Sequence, residues 1–213
     1  MTLWAMFVDF LQYVLFVISQ VYGGNIGLAV ITLSLLIRLM LLSLTLKLSR
    51  RSVKHQALMN KLKPGIERLK SKYKDRPEKL NKEIFALFKR HNARPVDFRS
   101  ILGVLVQAPV ILGLFTAIKR GIGAGKRFLW ISDLAKPDFL LVVIAGVLTY
   151  ISAAVSPGLS AQNKILYVLF PAILTVFFLW RMAAGVSLYW TTFSIVGIFE
   201  KILLRYSLKK YPV

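Results

Sequence analysis

The stretch IGLAVITLSLLIRLMLLSLTL, Ile26 to Leu46, decides how this chain is read: it is long and apolar enough to cross a bilayer as a helix, and it carries Arg38 near its middle. A guanidinium at the centre of a spanning helix costs roughly 2.5–3.5 kcal/mol on insertion scales, so it faces water or protein rather than lipid. A polar cavity inside the membrane is therefore the first expectation. The alternative is an Arg38 that snorkels to an interface or ties two helices together.

Working outward, the whole composition is that of a membrane protein. Hydrophobic residues make up 56% of the 213, and the mean hydropathy is +0.62. The net charge of +20 is concentrated: more than half of the 29 Lys and Arg fall between Lys47 and Arg99, against only Glu67, Asp75, Glu78, Glu83 and Asp97. A basic block beside a hydrophobic span marks a cytoplasmic segment. It brings no DNA-binding signature with it, although anionic lipid or ribosomal RNA could meet such a surface. With no cysteine, disulfides, thiolate metal sites and cysteine nucleophiles are excluded.

Five stretches are long enough to span, at residues 26–46, 101–118, 139–155, 165–182 and 186–204. With the basic block inside the cell, the N-terminus lies outside and the C-terminus, with Arg205, Lys209 and Lys210, in the cytoplasm. Residues 1–24 precede this core. Leu3–Tyr22 is apolar but carries Asp9, Gln12, Ser19 and Gln20 at roughly helical spacing, which predicts an amphipathic helix lying in the interface. It lacks the basic start and small-residue cleavage site of a signal peptide.

The basic segment, residues 50–92, is periodic. Leu58, Leu62, Ile66, Leu69 and Tyr73 recur every three or four residues, as do Leu80, Ile84, Leu87, Phe88 and His91. Between them Lys74-Asp75-Arg76-Pro77-Glu78 supplies a helix stop, a cap at Asp75 and a Pro in the next first turn. A cytoplasmic helical hairpin is expected, with a kink or break at Pro64-Gly65. The fold class is thus an all-α membrane protein with five transmembrane helices, an N-terminal interfacial helix and this hairpin.

Candidate site residues are the polar groups within the spans. Ser34, Arg38 and Thr45 share about one face of the first, Gln107 stands mid-depth in the second, and Ser187, Trp190, Thr191 and Ser194 share a face of the fifth. Hydroxyls alone mean close helix packing or bonds back to the backbone. Joined by Arg38 and Gln107, they point to a shared hydrated groove, with the third span around Ile144 and Val147 away from it. No catalytic, metal-ligating or cofactor-binding pattern appears. His55 and His91 lie in the basic hairpin, and Gly121-Ile122-Gly123-Ala124-Gly125-Lys126 lacks the spacing and the Ser/Thr of a phosphate loop.

Several motifs, in order, give the chain a resemblance to the YidC/Oxa/Alb membrane protein insertases from about Asn25 to Arg205. They are Gly27-Leu28-Ala29-Val30 leading to Ile37-Arg38-Leu39, then Lys72-Tyr73-Lys74-Asp75 with Pro77 to Glu83, then Gln107-Ala108-Pro109-Val110. Phe128-Leu129-Trp130-Ile131 with Asp133-Leu134 and Pro137-Asp138 follows, and Gly185 through Leu188-Tyr189-Trp190 closes the series. Departures from the family pattern stand at Ser43, at Ala183-Ala184-Gly185, at Ser194 and in the loop at residues 92–100.

The resemblance implies a bacterial inner-membrane insertase, not an enzyme, with no cofactor. Its groove, centred on Arg38, would take a substrate's short polar tail and release its apolar segment sideways into lipid. It further implies nascent membrane proteins as substrates, with a ribosome, a targeting factor and the Sec translocon meeting the hairpin and C-terminal tail. A transporter of small solutes or lipids using the same polar groove, or a structural scaffold, is the alternative; the chain shows no internal repeat of the kind such transporters carry.

Overall fold

The computed structural model describes residues 2–74, 76–93, 98–121, 125–157 and 164–210, with the side chains at 98–104, 106, 107, 164 and 208–210 outside that description. Among the described residues there are seven helices and no strand: α1 (Leu3–Val21), α2 (Ile26–Lys72), α3 (Pro77–Arg90), α4 (Phe98–Gly121), α5 (Phe139–Ala154), α6 (Lys164–Leu179) and α7 (Ala184–Lys210). Local chemistry sets their starts. The Asn25 side chain accepts from the Leu28 N–H at 3.1 Å to open α2, and Asp138 accepts from the Leu141 N–H at 2.8 Å to open α5.

The first span and the first arm of the hairpin are one helix. At 1.5 Å per residue α2 is about 70 Å long, so a bilayer core of about 30 Å leaves more than half of it projecting. The break expected at Pro64-Gly65 does not occur. Losing the Pro64 N–H costs one backbone bond, but α3 packs along α2 on both sides of it: Leu62 and Phe88 are buried, and Gly65 faces Leu87. Two further expectations shift here. The N-cap of α3 falls on Arg76, with Asp75 outside the described residues, and His91 is an exposed C-cap rather than part of the apolar stripe.

α7 is the central helix, touching α2, α4 and α5, while α5 pairs with α6 and α1 packs on α2 and α4. Small residues permit the closest approaches: Gly146 of α5 against Val176 of α6, and Gly113 of α4 against Phe7 and Leu11 of α1. Helix α1 buries Val8, Leu11, Leu15 and Ser19. Ser19 thus faces protein, its hydroxyl donating to the Phe16 carbonyl at 2.7 Å, and does not join Asp9 and Gln20 on the outer face. By length and composition α1, α2 and α7 could each cross a bilayer, and α5 and α6 are shorter apolar helices.

The end of the bundle where α2 begins is closed by the segment before α5. There the Phe128 and Ile131 backbones exchange hydrogen bonds across a tight turn, and Phe128, Ile131 and Leu134 are buried. The Gly185 N–H donates to the Leu134 carbonyl and the Ala184 N–H to the Lys136 carbonyl, which fastens this plug to the start of α7. Gly27 lies directly under the Phe128 ring.

Candidate functional site

A polar cavity of about 460 Å³ lies among α2, α5, α6 and α7, with Arg38 at one end of it. From α2 it takes Arg38, Thr45, Ser49 and Ser52, on one face by their spacing; from Arg38 to Ser52 this is about 21 Å along the axis. From α7 come Trp190, Phe193, Ser194, Gly197, Glu200, Lys201 and Leu204, again every three or four residues. Thr149 and Ser152 of α5 and Pro171 of α6 complete the wall.

Arg38 is 9% exposed and Glu200 7%. The Arg38 Nη1 donates to Glu200 Oε2 at 3.3 Å, and the Ser49 hydroxyl donates to Glu200 Oε1 at 3.4 Å. The Arg38 guanidinium carbon stands 3.7 Å from the centre of the Phe193 ring. Lys201 reaches the other way, its Nζ donating to the Ser152 carbonyl at 2.7 Å and hydroxyl at 2.8 Å, which ties α7 to the end of α5. Two cations and one carboxylate give the cavity a net positive charge. Taking such ions out of water costs several kcal/mol each, so the arrangement depends on their pairing and on water in the cavity.

The residues proposed from sequence fall into three groups. Arg38, Thr45, Trp190 and Ser194 are brought together at the cavity. Ser34 is buried one turn above Arg38 with its hydroxyl donating to the Val30 carbonyl at 2.6 Å, while Ser187 and Thr191 are buried with hydroxyls that have no partner among the described residues. None of these three lines the cavity. Gln107 is on α4, its side chain outside the described residues.

Other cavity residues were not anticipated from sequence. Glu200 and Lys201 had a signal: they are charged, lie within the fifth span and continue the stripe through Trp190, Ser194 and Gly197. Ser49 and Ser52 extend the Arg38 face beyond the apolar run. Thr149 and Ser152 correct the placing of the third span away from the groove. Its Val147 does face a separate apolar cleft against α6, but its opposite side walls the cavity. Phe193 had no signal, because nothing in sequence separates it from its lipid-facing neighbours.

Trp190 marks a boundary. Its Nε1 donates to the Thr149 hydroxyl at 3.3 Å, and that oxygen lies 3.4 Å from the Ser194 hydroxyl. Beyond Trp190, Thr149 and Pro171 is a second cavity of about 420 Å³, walled mainly by apolar side chains of α4, α6 and α7 such as Leu112, Phe115, Leu174 and Phe178. Several of these, including Leu112, Leu174 and Phe178, are exposed on the outside of the bundle. A chain threading past Trp190 would thus find polar walls on one side and apolar walls on the other.

Comparison with known proteins places the chain in a family. The family model described as 60Kd inner membrane protein matches residues 17–211. The membrane protein insertase YidC of Fusobacterium nucleatum is 32% identical over 199 residues, covering 91% of this chain and 93% of that protein. The YidC of Clostridium tetani is 32% identical over 187 residues, covering 84% and 81%. The membrane protein insertase MisCA of Bacillus subtilis is 30% identical over 207 residues, covering 92% and 76%. Among solved structures, that of an active YidC insertase with its first transmembrane domain resolved superposes with a TM-score of 0.62 at 21% identity. This likeness concerns the fold, and the chain, 98% covered, spans 46% of that protein.

Proposed function

The chain belongs to the 60Kd inner membrane protein family, and from that premise we propose that it inserts membrane proteins by receiving a substrate's short polar tail in the Arg38 cavity and releasing its apolar segment sideways into lipid. The observation that carries this reading is the polar cavity of about 460 Å³ beginning at a mid-span arginine and separated only by Trp190, Thr149 and Pro171 from an apolar cavity.

The physics is differential solvation. A polar tail crossing hydrocarbon loses its hydrogen bonds to water at several kcal/mol per group, whereas a cavity holding Arg38, Lys201 and hydroxyl side chains returns part of them. The cavity shortens the apolar barrier, and the plug of Phe128, Ile131 and Leu134 at the far end guards against a leak. Once the tail is seated, the attached apolar segment lies beside α4 and α6. Burial in lipid, at about 25 cal/mol per Å², then drives it outward without nucleotide hydrolysis or any covalent step.

The orientation that fits this use puts the basic α2–α3 hairpin and the tail of α7 in the cytoplasm and the N-terminus outside, in a bacterial inner membrane. Helix α1 then lies in the outer interface. Residues 1–24 form that element, residues 25–213 the insertase core, and the projecting hairpin meets the ribosome, a targeting factor or the Sec translocon. A transporter remains the competing reading of the same polar cavity. Reconstitution in liposomes separates the two: a short-tailed single-span substrate becomes protected from added protease only with an insertase, and failure of the pure protein to protect it would overturn the proposal.

A further inference from the structure

Resting on the groove reading above, we propose that Glu200 is a resident counter-ion that holds Arg38 between substrates and sets how acidic a tail must be to take it. Glu200 is on this account a specificity-determining residue of the groove.

The contact itself is built for exchange. Arg38 and Glu200 meet through one pair of atoms, Nη1 and Oε2, at 3.3 Å. Charge-assisted bonds between fixed partners are shorter, about 2.7–2.9 Å, and a guanidinium commonly grips a carboxylate with two parallel bonds. Here Arg38 Nε is buried with no partner among the described residues, and Nη2 is turned to Gly197 on the cavity wall. Nε is too enclosed to serve an incoming group, but Nη2 leaves the arginine a donor for a second carboxylate.

Both ions also have support that does not depend on each other. The Phe193 face lies under the guanidinium at 3.7 Å, holding it in place whichever anion it binds. The Ser49 hydroxyl is 3.4 Å from the other oxygen of Glu200, and Glu200 itself lines the cavity. Lys201, next in the chain, is held on the α5 side by Ser152. Removing one partner of a buried ion pair strands a charge, but trading one carboxylate for another strands none.

A consequence follows for selectivity. An incoming tail gains only the difference between its own attraction to Arg38 and that of Glu200. A neutral tail cannot displace Glu200, a tail with one carboxylate competes on near-equal terms, and a tail with two prevails. When the tail leaves, Glu200 recaptures the arginine, which hastens release.

The test uses the full chain in phosphatidylethanolamine and phosphatidylglycerol vesicles, with a photo-crosslinking side chain at Thr45. Three synthetic single-span peptides share one apolar segment and differ only in tails bearing no, one or two aspartates. Wild type should crosslink the two-aspartate tail strongly and scarcely separate the other two. Glu200→Gln should raise the ratio of one-aspartate to uncharged crosslinking at least about fivefold, since Arg38 then has no competitor. Glu200→Asp keeps the charge but shortens the reach, and should raise the same ratio by less. An unchanged or lower ratio in both variants, with wild type crosslinking normally, overturns the role of Glu200 alone. No crosslinking of any peptide by wild type overturns the groove reading and this proposal with it.

Discussion

Arg38 of α2 stands over the ring of Phe193 of α7, guanidinium carbon to ring centre 3.7 Å, so the one charge in the first span is carried on an aromatic face of the last. Desolvated cation–π contacts contribute up to about 2 kcal/mol. Phe193→Leu, which keeps most of the apolar volume, should therefore loosen Arg38 and reduce insertion of acidic-tailed substrates several-fold, while Phe193→Tyr keeps the ring and most of the activity. Insertion by the two variants in reconstituted vesicles checks this. Equal activity of both with wild type would show that the ring does not hold the arginine.

The plug at the start of α2 makes a prediction about stability. A methyl group added at Gly27 would overlap the Phe128 ring, whereas one added at Gly121 meets Gln12 and Leu15 at an ordinary 3.6 Å. Overpacking costs about 1–3 kcal/mol. Gly27→Ala should lower the thermal unfolding midpoint in detergent by several degrees, and Gly121→Ala should leave it unchanged or raise it slightly, since alanine is the better helix former. A Gly27→Ala protein that melts with wild type would mean Phe128 is not seated on α2.

The difference between these two glycines shows what the sequence could and could not convey. Both stand in apolar helices, and only the folding back of the segment around Phe128 makes one of them intolerant of a side chain. The helices themselves were legible, because apolar periodicity and caps such as Asn25 and Asp138 are local signals. The continuity of α2 through Pro64 was not, since it depends on packing with α3 that local propensity does not contain. In the site, Arg38, Thr45, Trp190 and Ser194 were found from polar atoms at helical spacing. Glu200 was in plain view but lay beyond the hydroxyl stripe, and Thr149 and Ser152 needed the α5–α7 contact to give them a direction.

Topology is open to a direct check because the chain has no cysteine of its own. Ser71 is exposed near the end of the projecting arm of α2, about 50 Å along the helix from Arg38. A Ser71→Cys protein should resist an impermeant maleimide in intact cells and react once the membrane is opened, and Lys126→Cys, in the exposed segment before α5, should do the reverse. Labelling of Ser71→Cys in intact cells would invert the orientation and move the basic hairpin to the outer face.

Whether Arg38 acts as a charge or only as a polar group can be decided by removing it with and without its counter-ion. A tail carboxylate about 6 Å from the guanidinium at an effective dielectric near 20 is attracted by about 2–3 kcal/mol, and competition from Glu200 cancels most of this for a single carboxylate, so the acidic tails to be compared carry two. Arg38→Lys keeps the charge and should retain substantial insertion. Arg38→Ala should lose most of it for acidic tails and less for neutralised ones, but it also strands Glu200 in the bundle, a destabilisation of about 3–5 kcal/mol that alone could depress activity. The double variant Arg38→Ala/Glu200→Gln removes both charges and so restores stability. If electrostatic attraction draws in the tail, this double variant should fold as wild type does, insert neutral-tailed substrates better than Arg38→Ala, and still fail to favour acidic tails. Insertion of paired acidic and neutralised substrates, with melting curves at matched protein levels, supplies the comparison. Recovery of the acidic preference in the double variant would show that the Arg38 charge is dispensable for recruiting the tail, with Lys201 the cation left in the cavity.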